Sequence, residues 1–303
     1  MKPLSPVSGT IWSGRIQSIA CLDASRETRF REDRRDLILY VLGLSPGMAV
    51  LDAGCGPGAL TRKIARWLGQ ASRVTGVDAD AAFIEYASRR AEEQHLSNVT
   101  FVLGDVLALP LQDKSVDACI SHTVIEHVPN REFLCEQKRV CRPGGRVSVM
   151  GVHGKIATNP DLAPRMGERE EDLMKPIVEA LEREQKARRV GAYSPDPAVL
   201  PRVFQELGFQ DVQVDALALP TVPDDSRVGE RERRAMIESF RREALDFLEM
   251  GQSLPPGPLS PDRFRELRDL VSARFDARLA LADRGACVWD YEIPTVLVVS
   301  GTA

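Results

Sequence analysis

The chain predicts an α/β fold in which a sheet of mainly parallel strands is flanked by helices and interrupted by helical insertions. Three observations carry that prediction. Short apolar runs alternate with amphipathic stretches from about Met48 to Met150. A glycine-rich turn, VLDAGCGPG (Val50 to Gly58), joins the first apolar run to the first amphipathic stretch. The regularity is then broken by charged segments whose apolar residues recur at helical spacing.

In chain order, Glu27–Leu42 predicts a helix with Leu37, Ile38, Val41 and Leu42 on its apolar face. Candidate strands follow at Ala49–Asp52, Arg73–Val77, Val99–Leu103, Val116–Ser121 and Arg146–Val152. Candidate helices lie between them at Leu60–Leu68, Ala81–Gln94 and Asn130–Val140, with apolar residues three and four apart. Pro143, Gly144 and Gly145 read as the turn into the last of these strands. The pattern breaks at His153, where a charged segment holds Pro160, Pro164, Pro176 and one helix through Ala187. It resumes with a helix at Pro197–Leu207 and a strand near Val212–Leu217. A second insertion carries Ile237, Phe240, Ala244 and Phe247 on one helix and, after Ser260 and Pro261, Phe264, Leu267, Val271 and Phe275 on another. A final strand is expected near Thr295–Val299. The expected division is an arm and helix over the active site (1–47), a core (48–152), a helical lid (153–194), core again (195–223), a helical insertion (224–286) and the last strand (287–303).

At 303 residues the chain is long enough for a substantial core. Its 40 Lys and Arg against 44 Asp and Glu, a formal net charge of −4, argue against general affinity for nucleic acid. No apolar run approaches the roughly 18 residues of a spanning helix, and the amino terminus lacks a signal peptide's apolar core, so no membrane and a cytoplasmic location are expected. Cys21, Cys55, Cys119, Cys135, Cys141 and Cys287 form no CxxC pair, so free thiols and no metal are expected.

Gly54, Gly56 and Gly58 place a turn without side chains before a helix, where a ligand is expected to lie against exposed backbone N–H groups. The run fits the dinucleotide pattern through Ala59, and Asp78 follows at the distance of a ribose-holding acid, so a nicotinamide-dependent oxidoreductase is one reading. Three features favour a sulfonium cofactor. Asp52 would repel a pyrophosphate and attract an ammonium. Gly104-Asp105-Val106 places a carboxylate where it can accept from an exocyclic amine. LPLQDKSVDACIS puts Pro110, Asp113 and Asp117 in a turn into a strand ending at Ser121 and His122.

With DAGCGPG, VTGVDAD (Val74 to Asp80), GDVLALPLQDKSVD (Gly104 to Asp117), SHTVIEHV (Ser121 to Val128) and RPGGRV (Arg142 to Val147), the chain resembles the class I S-adenosylmethionine-dependent methyltransferases of the small-molecule branch. The resemblance covers about Leu37 to Val152 and extends weakly through Pro197–Leu217. It implies a Rossmann-like seven-stranded sheet whose last strand is antiparallel, with the helical insertions forming a cap. It also implies S-adenosylmethionine as donor and S-adenosylhomocysteine as product. Asp52, Gly54 and Gly56 would line the methionyl end, and Asp78 would hold the ribose hydroxyls with Ala79 beside them. Asp105 would take adenine N6 with Val106 over a ring face, and Ser121 would sit near the sulfonium. Cys55, Gly58 and Gly104 complete the expected cofactor set.

Methyl transfer is a substitution at carbon that needs chiefly alignment in a dry site. If the acceptor must lose a proton, His122, His127, His153 and Glu126 are the candidates, with a structural hydrogen bond as the other reading of His127. His95 follows a helix end and reads as surface. Trp12, Arg15, Tyr193 and Trp289 are candidate lining residues for a small-molecule acceptor. Arg165, Arg183, Arg188 and Arg189 read equally as a solvated helix face or as partners for a substrate carboxylate. SHTV stands where an NPPY-type tetrapeptide would mark a base methyltransferase. A non-catalytic S-adenosylmethionine-binding protein and a homodimer through the second insertion both stay open.

Overall fold

The computed structural model describes residues 12–13, 16–158 and 163–303, with backbone alone at 152 and 153. Seven strands, β1 (Ala49–Ala53), β2 (Arg73–Asp78), β3 (Val99–Leu103), β4 (Val116–His122), β5 (Cys141–Thr158), β6 (Gln210–Ala218) and β7 (Tyr291–Thr302), form one sheet in the order β3-β2-β1-β4-β5-β7-β6. The first five pair in parallel, and β7 runs antiparallel to both its neighbours. Strand order reverses between β1 and β4, so their carboxyl ends open the crevice where such sheets bind ligands.

Alternation along each strand feeds both faces of this sheet. Val50 joins Leu60, Ile64, Ile38 and Val298 on one side, while Leu51 joins Phe133, Leu134, Phe204 and Val149 on the other. The covering helices are α1 (Ile19–Arg29), α2 (Arg35–Leu42), α3 (Ala59–Leu68), α4 (Ala81–Glu93), α5 (Asn130–Val140) and α7 (Leu200–Glu206). Helices α6 (Glu168–Ala187), α8 (Glu230–Ser253) and α9 (Pro261–Asp283) build a cap around a third core of Leu173, Ile177, Leu248, Leu267 and Val271. Asp224 ties that cap to the sheet: it pairs with Arg233 and Arg278 and accepts from the Val288 and Trp289 amides. Among the described residues no helix is long and apolar enough to cross a membrane.

Three elements differ from expectation. The stretch expected as one helix over Glu27–Leu42 is α1, a 3-10 turn at Glu32–Arg34, and α2. The break falls at Phe30, which leaves helical geometry and is fully buried edge-on to His122 at 5.1 Å. Burial of one aromatic ring outweighs one more helical hydrogen bond. The turn at Pro143–Gly145 is instead a bulge inside β5, with the Gly144 amide donating to Ala303 O. Finally, β5 continues beyond His153 to Thr158, because β7 begins at Tyr291 and supplies backbone partners along the added length.

Candidate active site

The glycine turn lies at the β1 end of the crevice. Gly54 has φ +77, its amide donates to Val77 O at 2.7 Å, and a Cβ there would stand 2.4 Å from Val124 Cγ2. Both the left-handed backbone and the lack of space demand glycine. Gly54→Ala is therefore expected to cost about 2 kcal/mol of folding stability. Urea unfolding of G54A beside G54A/V124A checks this, since the double variant should recover the steric part alone. An unchanged midpoint in G54A would refute it.

The expectation that this turn offers exposed N–H groups fails. The Gly54 and Cys55 amides both donate to Val77 O, Gly56 N donates to Asp78 Oδ2 at 2.8 Å, and Gly58 N donates to Cys55 O. Pro57 has no N–H, so the loop's donors are taken before any ligand arrives. A pyrophosphate would meet occupied amides and acids.

Those acids are closely set. Asp52 is buried and accepts from Thr61 Oγ1 at 2.6 Å. Burial, opposed by that bond and reinforced by the charge of Asp78, pushes the Asp52 carboxyl up to about 7. Asp78 is likewise raised, chiefly by burial, although Gly56 N and Asp80 N donate to its two oxygens. Each carboxylate oxygen carries two lone pairs, so both oxygens of Asp78 can still accept from a pair of hydroxyls. Asp80 caps α4 through the Ala82 amide and also accepts from Ser13 N. Cys55 is a buried thiol pushed well above its ordinary range, so it acts here as a small apolar wall. Ala79 is exposed beside Asp78, and the Gly104 amide donates to Asp78 O. Asp105 Oδ1 accepts from Leu107 N, its side chain stays exposed, and Val106 is buried behind it.

At the end of β4, Ser121 is fully buried and its hydroxyl has no partner. His122 beside it is buried and its imidazole is held well below the usual range, by burial first and then by Arg26 and Arg29. His127 Nδ1 accepts from Gly191 N at 3.0 Å, its ring meets Trp12 edge-on at 4.6 Å, and burial lowers it to about 4. That residue reads as a structural anchor. The Glu126 carboxyl is raised by burial, has one oxygen without a partner, and its backbone carbonyl accepts from Tyr193 N.

Trp12, Tyr193, Glu126 and His127 are thus brought together beyond the end of β4. Trp289 is not: it is half exposed, with its amide on Asp224 and its carbonyl accepting from Thr158 Oγ1. Arg15 and the side chain of His153 lie outside the described residues.

The sequence led us to expect an arm and a helix over the active site but did not place helix α1 at Ile19–Arg29. Leu22 of this helix lies nearest to the space over Gly56, and Ser13 and Trp12 reach Asp80 and His127, so the arm crosses the mouth of the glycine turn. The helix is anchored by Arg62 of α3, fully buried, which donates to Asp23 Oδ1 at 2.6 Å and to Pro57 O at 2.7 Å. Asp23 also accepts from Tyr86 Oη. The one local signal was the cap, Ser18 Oγ accepting from Cys21 N.

Known proteins resemble this chain in sequence and in fold. Residues 50–145 match a family model described as a methyltransferase domain. The chain is 35% identical over 150 residues to an uncharacterized 37.1 kDa transposon protein of Streptomyces fradiae, covering 49% of this chain and 43% of that one. It is 39% identical over 112 residues to a demethylmenaquinone methyltransferase of Tropheryma whipplei, covering 36% of this chain and 44% of that one. The matches thus span less than half the length of these two relatives. The fold is shared with a phosphoethanolamine N-methyltransferase of Haemonchus contortus solved with S-adenosyl-L-methionine, at a TM-score of 0.56 and 17% identity, over 100% of this chain and 62% of that one. Residues 50–145, which hold the glycine turn and strands β1 to β4, thus match a methyltransferase domain.

Proposed function

We propose that the protein is an S-adenosylmethionine-dependent methyltransferase acting on an oxygen, nitrogen or carbon of a small-molecule metabolite. The observation that carries this reading is electrostatic. Asp52 and Asp78 flank a turn whose amides are already spent, so the site repels a pyrophosphate and matches the positive ammonium and sulfonium of the methyl donor. The residues fit that cofactor: free lone pairs on Asp78 for ribose, and an orphaned Ser121 hydroxyl for a group nearby. When bound, S-adenosylmethionine supplies an electrophilic methyl on sulfur.

The chain's own residues then align and dry the site. The arm closes over the glycine turn, and Ser121 and His122 present the acceptor side at the end of β4. The depressed imidazole of His122 is neutral at physiological pH and able to accept a hydrogen bond, with the Glu126 carboxyl as a second acceptor. The Tropheryma relative, whose name gives demethylmenaquinone as its substrate, supports a small-molecule acceptor.

Calorimetric titration of S-adenosylhomocysteine, with NAD in parallel, tests the donor. Micromolar binding that weakens at least tenfold in Asp78→Ala, about 1.4 kcal/mol, is expected. Binding of NAD without S-adenosylhomocysteine would overturn the reading.

A further inference from the structure

Three deep arginines away from the crevice pair with acids. Arg62 meets Asp23 and Glu27, Arg278 meets Asp224 and Asp290, and Arg274 meets Glu170. Arg26 and Arg29, in the last turn of α1, break this pattern at the acceptor side of the site. Arg26 donates to Ser25 Oγ at 3.0 Å and to Thr123 Oγ1 at 3.5 Å, both neutral oxygens. Among the described residues neither arginine has an ion-pair partner. Thr123 lies two residues beyond Ser121, and both guanidinium charges bear on His122.

The elements packed around the pair carry few compensating charges. Lys155 of β5 and Glu292 of β7 bond to each other at 2.6 Å. Glu243 of α8 is the acid whose charge reaches both arginines without a hydrogen bond to either; burial raises its carboxyl while Arg29 and Arg26 lower it. Desolvation and the like charge of Arg29 bring the Arg26 guanidinium down to about 9. Two like charges three residues apart on a helix repel, and the dipole at a helix C-terminus offsets this only in part. Arg26 is nonetheless half-buried rather than sealed, so accessible space adjoins it.

We propose that Arg26 and Arg29 form an anion clamp, and that the methyl acceptor carries a carboxylate or phosphoryl group held there while its nucleophile faces Ser121. This rests on the reading of the crevice as a methyltransferase site. A planar guanidinium pairs bidentately with either oxyanion, and two of them on one helix turn beside Thr123 give both charge and direction. Binding of such an acceptor supplies the charge partner that the protein withholds.

The test uses the whole chain, titrated calorimetrically with benzoate, phenyl phosphate and the neutral counterpart benzamide, with and without saturating S-adenosylhomocysteine. At least one anion is expected to bind tenfold or more tightly than benzamide. Arg26→Gln and Arg29→Gln should each remove at least tenfold of that preference, Arg26→Lys less, with S-adenosylhomocysteine affinity held within twofold. A benzoate preference assigns a carboxylate, and a phenyl phosphate preference a phosphoryl group. Anions that bind wild type no better than benzamide would overturn the clamp without need of any variant, as would a preference that survives both glutamine substitutions. Failure of S-adenosylhomocysteine to bind would overturn the donor reading instead, and the titrations without it still decide the clamp.

Discussion

Replacing Arg62 with alanine is expected to cost about 3–5 kcal/mol of folding stability, read as a lowered urea midpoint. Arg62 is fully buried and its partner Asp23 is 4% exposed, so truncation strands a carboxylate with only Tyr86 Oη and the more distant Arg90 near it. The cost arises from that stranded charge more than from the lost contact. R62M combined with D23L, which removes both charges and keeps the volume, should therefore regain most of the loss. Arg62 also holds Pro57 O, so R62A should weaken S-adenosylhomocysteine binding by loosening the glycine turn. A midpoint shift worth less than about 1 kcal/mol in R62A would show that α1 does not depend on this pair.

S-adenosylhomocysteine affinity is expected to climb with pH, by up to about tenfold per unit, between about pH 5 and pH 7 and then to level off. The Asp52 carboxyl, ordinarily at 3.8, is pushed to about 7 by burial and by Asp78, against the pull of Thr61. Below 7 the free protein holds Asp52 protonated. The ammonium of the ligand favours the ionised form, so binding releases a proton and tightens as pH rises to that value. Stability of the ligand-free protein runs the other way. Because the folded value lies above the unfolded one, the folded state binds more protons across that window, and stability falls as pH rises from about 4 to about 7. Asp52→Asn should flatten both profiles. Calorimetry across this range checks the first and urea midpoints the second; a flat wild-type affinity would place the ammonium away from Asp52.

Much of the core was legible because its signals are local. Asn130–Val140 is a helix at those bounds, since its apolar residues recur at helical spacing between a proline and a strand. The strand ends were harder to read: β5 and β7 outrun their apolar runs because antiparallel pairing, which depends on a partner far away in sequence, fixes their length. Arg26 and Arg29 were passed over for a related reason. The helix expected there began at Glu27, so the two arginines did not read as one helix turn beside the end of β4.

The sequence by itself determined the sheet class, the glycine turn and the acids at Asp52, Asp78 and Asp105, because these follow from spacing within one strand, turn and helix. The tertiary structure decided what that turn offers a ligand, since the carbonyl of Val77 and the carboxylate of Asp78 come from the neighbouring strand to take its amides. It also decided which histidine is tied down and which is enclosed. Gly191 reaches His127 across the chain, while Phe30 and the arginines of α1 enclose His122. Long-range packing sets desolvation and hydrogen-bond supply at each site, and no local pattern of residues encodes either.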